Sequence, residues 1–234
     1  MRSLLRWTAA LVTGALLGET ALAGDWPVVR QVSFSADSRR VLVLTGHVQD
    51  GSGFPEATLH LLDTGTGRTL SRQSLTSQDP AVTPSDLLGR LLRTQSARLQ
   101  AAGIDPARAS RPRYVAPAPT LPRWSDALKA GESRTQPVFL WSRPVPFVLK
   151  VQRTAAACAF PDLLPGGERP ARYTLSVNGQ VVSAPGAPAA PCAARYLLER
   201  VDLRGNRVLV TLRAYQPGFE GPTALPVFVA ATLR

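Results

Sequence analysis

VLVLTGHVQDGSGFPEATLHLLD, residues 41–63, places two apolar runs around a loop that has to reverse the chain. Val41, Leu42, Val43 and Leu44 lead in, and Leu59, Leu61 and Leu62 lead out. Between them Asp50-Gly51-Ser52-Gly53-Phe54-Pro55 supplies two glycines able to adopt positive φ, so the stretch predicts a β-hairpin. Upstream, Val28 to Phe34 is β-rich, and Ser35-Ala36-Asp37-Ser38 is a turn cluster.

Strand, turn, strand, loop, strand is thus the expected order, and the stretch from Phe34 to Gly67 is similar to one blade of a TolB-like β-propeller repeat. A propeller needs about four blades and no second copy follows, so a blade-like sheet is expected. Thr83-Pro84-Ser85-Asp86 then combines an N-cap, a proline at the first helical position and an acid at the third. Leu87, Leu88, Leu91, Leu92 and Leu99 recur at helical spacing before Gly103. One amphipathic helix of about five turns is predicted, its leucines facing a sheet.

Between Asp105 and Pro122 five prolines exclude a regular helix or a central strand, and the segment reads as a connector. From Gln136 the chain is β again. Asn178-Gly179 between Tyr173–Val177 and Gln180–Val182 is a type I′ hairpin signal, and a second hairpin turns at Arg204-Gly205-Asn206. Val208 to Leu212 is apolar on both faces, which marks a central strand; Val227 to Thr232 closes the sheet.

The expected fold class is α+β, mainly β. It comprises a blade-like antiparallel N-terminal sheet plus one amphipathic helix (24–104), a Pro/Arg-rich connector (105–134), and a disulfide-stapled antiparallel C-terminal sheet (135–234). The first region is small for a domain of its own, which argues for one shared core.

Residues 1–23 read as a secretory signal peptide: Arg2 and Arg6, an apolar run from Trp7 to Leu17, and Ala21-Leu22-Ala23 before Gly24. The run is far shorter than the roughly 20 residues that span a bilayer, and no later stretch reaches that length. Export makes one Cys158–Cys192 disulfide the simplest use of the two cysteines, free thiols being the alternative. The expected location is periplasmic or secreted.

Net charge is +11. Residues 90–153 hold 12 basic side chains against 3 acidic ones, and all basic residues but Lys129 and Lys150 are arginine. In an exported protein such charge points to anionic envelope components or an envelope protein, not to nucleic acid. The arginine preference also fits a GC-rich genome.

The candidate chemical groups are few. His47 and His60, brought nearly opposite by the hairpin, could hold a metal together with Asp50 or Glu56, although a one-residue slip in register would separate them. Asp50, Ser52 and Phe54 in the first loop, and Phe219 and Glu220 in the turn Gly218–Pro222, are the candidate binding residues. No nucleophile elbow, HExxH helix or phosphate loop is present in the sequence, and no cofactor is implied.

Val48 to Pro55 and Tyr215 to Pro222, with the leucine-rich helix and both cysteines, resemble DUF2259, a family of predicted secreted bacterial proteins of unknown function. The resemblance implies export and a shared fold, and no activity. The expected function is therefore a non-catalytic binding or accessory protein of the envelope. The alternative is a hydrolase of envelope polymer acting through Asp50, Glu220 or a His47/His60 metal.

Overall fold

The computed structural model describes residues 24–79, 81–218 and 221–234; the expected signal peptide, residues 1–23, lies outside them. The 41–63 stretch forms a hairpin, with β2 (Arg40–Val48) and β3 (Pro55–Asp63) paired from Arg40–Asp63 to Val48–Pro55. β1 (Val28–Phe34) and β4 (Thr69–Thr76) flank it, giving a four-stranded antiparallel meander in chain order. β4 was not expected, because TLSRQSLT carries no apolar alternation. It needs none: it is an edge strand, mostly exposed, and its polar side chains protect that edge.

The VLVL run in β2 lacks alternation because both faces of the sheet are covered. Leu42 and Leu44, with Ala57, Leu59 and Leu61, pack under the helices. Val41 and Val43, with Val32, Phe34 and Leu62, pack against Leu209 and Ala230 of another sheet. Thr83 caps the helix start with a reciprocal capping box to Asp86, and Pro84 opens the first turn. The predicted single helix is split into α1 (Pro84–Thr94) and α2 (Ser96–Ala101). At the break Thr94 Oγ1 donates to the Arg90 and Leu91 carbonyls at 3.1 Å, a side-chain competition that bends helices.

The connector does more than link. Pro112–Val115 is β5, pairing as an edge strand with the strand Arg195–Arg204, and proline is tolerated at an edge. The C-terminal region then builds two sheets in place of the one expected. β6 (Ser133–Phe139), β7 (Pro144–Arg153), β8 (Ala171–Val177) and β9 (Gln180–Ser183) form a meander. Asn178 (φ +50) and Gly179 (φ +83) make its last turn. β10 (Arg195–Arg204), β11 (Arg207–Pro217) and β12 (Pro222–Thr232) join β5 in the order β12–β11–β10–β5.

The layers stack as helices, β1–β4 sheet, β12–β5 sheet, β6–β9 sheet. The third layer is central, so β11 is buried on both sides: Val208, Val210 and Leu212 meet Phe147, Leu149 and Leu175, while Leu209 meets the first sheet. The Cys158–Cys192 disulfide, 34 residues apart in sequence, ties the loop after β7 to the segment before β10. Much of the basic run is divided between the two outer layers, the rest lying in the connector. Arg90, Arg93 and Arg98 lie exposed on the helices, and Arg134, Arg143, Lys150 and Arg153 on the β6–β9 sheet.

Candidate functional site

Beyond Leu209 the same face of β11 continues as Thr211, Arg213 and Tyr215, all fully buried. A charge there needs partners. Arg213 Nη2 donates to Glu199 Oε1 at 2.7 Å, and Nη1 donates to the Pro27 carbonyl at 2.8 Å and the Ala224 carbonyl at 3.1 Å. Its guanidinium lies 4.4 Å from the Trp26 ring centroid, a cation–π contact, and Trp26 also meets Tyr215 edge-on. Burial pushes the Tyr215 phenol up, the nearby Asp126 and Glu199 charges acting with it against Arg213.

The four residues Gly24–Pro27 are thereby a strap over the polar face of β11. Asp25 connects that strap to the first hairpin. Its Oδ1 accepts from the Asp50 backbone N–H at 2.7 Å and lies 3.5 Å from His47 Nε2, while its carbonyl accepts from Ala224 N–H at 2.9 Å. Burial raises the Asp25 carboxyl, but the hydrogen bonds from His47 and Asp50 and the His47 charge outweigh it and leave Asp25 below its usual range. Gly24 sits against β12 so closely that a Cβ would approach the Pro222 carbonyl oxygen to 2.3 Å.

Beside the strap opens a cleft of about 440 Å³ lined by Asp25, His47, Glu56, Thr58, His60 and Arg72, with Ala189–Pro191 and Leu225–Val227 as the far wall. The two histidines are not opposite each other. His47 faces Glu56, whereas His60 faces Val43 on one side and Arg72 on the other. Four residues of strand, about 14 Å, separate them along the ribbon, far beyond the span of one metal ion. Among the described residues no three His, Cys, Asp or Glu side chains gather as a metal site. Glu56 accepts from Gln49 Nε2 at 2.7 Å and so braces the loop.

His60 packs edge-on against Phe228, with centroids 4.9 Å apart. Burial, reinforced by the Arg72 charge, lowers its imidazole to about 4. The unfolded chain protonates that ring near pH 6.5 and therefore binds more protons than the folded chain between pH 6.5 and 4. Stability falls as pH falls across that window, by up to about 3 kcal/mol at pH 4, and little of the loss occurs above pH 7. In denaturant titrations His60→Phe is expected to remove this component; an unchanged difference between pH 7 and pH 4 would refute the assignment.

The sequence-derived candidates in the first loop serve its turn. Ser52 Oγ donates to Gln49 Oε1 and accepts from Phe54 N–H. Asp50 and Ser52 are exposed and Phe54 is half-buried. Phe219 and Glu220 lie outside the described residues; the flanking Gly218 N–H donates to the Gly221 carbonyl at 2.8 Å. Sequence reasoning missed Asp25, Trp26, Glu199 and Arg213. A signal for the last existed: an arginine within the apolar alternation of a strand read as central, where a charge must find a buried partner.

What the fold and this corner define is a layered, disulfide-bonded β protein in which a short N-terminal strap touches both the loop after β2, at Asp50, and the paired ends of β11 and β12, at Tyr215, Pro222 and Ala224. The chain belongs to DUF2259, described as a predicted secreted protein, whose family model matches residues 43–232. No curated protein and no solved structure matches it significantly.

Proposed function

We propose that the protein is exported by cleavage after Ala23 and works in the periplasm or outside the cell as a non-catalytic binding or accessory protein. Its contact surface is the corner made by the Gln49–Phe54 loop and the β11–β12 turn. The observation that carries this reading is the double role of Asp25, whose side chain holds Asp50 and whose carbonyl holds Ala224. The loop after β2 and the start of β12, more than 150 residues apart in sequence, are thereby tied to one strap.

Among the described side chains of this corner, Asp25, Gln49, Ser52 and Glu56 are occupied in holding the loop and the strap. That arrangement suits recognition, where a preorganised surface reduces the ordering cost of binding. A catalytic centre instead needs a group free to exchange protons or attack a substrate.

The test is cosedimentation of the purified exported protein with washed envelope fragments. The loop variant Asp50→Ala/Phe54→Ala is expected to keep its melting temperature within a few degrees and to lose most of the bound fraction. Asp25→Asn, which removes the charge facing His47, is expected to weaken binding less. Binding unchanged in the loop variant, or soluble fragments released from the polymer on incubation, would contradict the reading and favour the hydrolase.

A further inference from the structure

β11 and β12 pair from Pro217–Pro222 at the corner to Arg207–Thr232 at the opposite end, about 34 Å away at strand rise. At that far end a separate cleft of about 560 Å³ opens between the β6–β7 and β8–β9 turns and the residues that follow β12. Its floor is apolar, made of Val145, Val177 and Leu233, all nearly buried. Its rim carries Trp141, Arg143, Asn178 and Arg234.

The walls are held in place. In the β6–β7 turn Leu140 is fully buried while the next residue, Trp141, is 52% exposed, so the anchor residue presents the indole outward. On the other side the Asn178–Gly179 turn is pinned by the Asn178 N–H to the Pro146 carbonyl at 2.9 Å. The Gln180 amide clamps the end of β12, donating to the Thr232 carbonyl and accepting from the Arg234 N–H. No lining side chain is acidic, and neither Arg143 nor Arg234 is ion-paired among the described residues.

We propose that this cleft binds an anionic saccharide. The indole face offers a platform for the C–H face of a sugar ring, which is apolar and slightly positive where the π cloud is negative. Asn178 supplies an amide for ring hydroxyls. Arg143 and Arg234 supply planar donors matched to a carboxylate or phosphate on the sugar. An acidic peptide would engage the guanidinium groups but would leave the aromatic platform and apolar floor unused, so the saccharide fits the cleft better. This site is independent of the corner, at the other end of the β11–β12 ribbon.

Isothermal titration of the exported protein tests this with four probes: a uronic acid trisaccharide, a phosphorylated trisaccharide, a neutral trisaccharide and triglutamate. One of the two charged sugars is expected to bind at least about tenfold more tightly than the neutral sugar and triglutamate, a gap of 1.4 kcal/mol. Its affinity should fall as salt rises. Trp141→Ala and Arg143→Glu, both at exposed positions, are each expected to weaken it about tenfold or more with unchanged melting temperature. Failure of both charged sugars to bind, equal binding of triglutamate, or indifference to both substitutions would overturn the proposal. The corner variant Asp50→Ala/Phe54→Ala should bind the sugar normally, so the two readings fail separately.

Discussion

Arg213→Ala is expected to destabilise the protein by about 3–5 kcal/mol, the range for removing one partner of a buried ion pair. The substitution leaves Glu199, 9% exposed, as an uncompensated buried carboxylate. It also removes the hydrogen bonds that hold Pro27 and Ala224 and the cation over Trp26. The strap should then open, so residues 24–30 should become cleavable by added protease. The pair is costly to bury even in the native protein, because Arg213 Nε and Glu199 Oε2 have no hydrogen-bond partner. The double substitution Arg213→Met/Glu199→Leu should therefore recover most of the lost stability. Denaturant unfolding of the three proteins checks this; a loss below about 1 kcal/mol for Arg213→Ala would show that the pair is not what secures the strap.

Loss of the disulfide is the second large effect. Cys158 and Cys192 close a loop spanning 34 residues, which in the chain-entropy model is worth about 4 kcal/mol. For a protein of this size the melting temperature should drop by roughly 8–15 °C. Cys158→Ser, Cys192→Ser and reductant on the native protein should give the same value, because each removes one cross-link. The structural consequence should concentrate near the bond. Ala193 lies in the core, its carbonyl accepting from the Ala171 N–H, and Tyr196 OH donates to the Ala171 carbonyl at 2.9 Å. Burial pushes that phenol up to about 12, so it remains a donor throughout the neutral range. A melting temperature insensitive to reductant would contradict the prediction.

Elements specified by local chemistry were legible. The VLVL run with its glycine loop, the Thr83/Asp86 capping box and the Asn178-Gly179 turn each declare a structure within a few residues. Elements specified by neighbours were not. β4 and β5 are polar or proline-bearing edges that exist because β3 and β10 offer them an unpaired side. The helix break depends on where Thr94 sends its hydroxyl. The division of the C-terminal half into two sheets follows from β11 being covered on both faces. Its apolar pattern revealed the covering, but nothing in that pattern named the covering layers.

For the site the limit was register. Sequence placed His47 and His60 in one hairpin but set them nearly opposite; with Val48 facing Pro55, His47 falls opposite Glu56. Asp25 carried no signal at all, since its importance arises from a carbonyl and a carboxylate that reach two distant loops. Neither contact leaves a trace in local composition.

The central claim, that the corner tied together by Asp25 is the contact surface, is most directly tested by hydrogen exchange on the intact exported protein, alone and with solubilised envelope material. The account predicts slowed exchange in the Val48–Pro55 and Tyr215–Pro222 stretches, and no such change in the Asp50→Ala/Phe54→Ala variant. Slowed exchange confined to other surfaces, with both stretches unchanged, would contradict it.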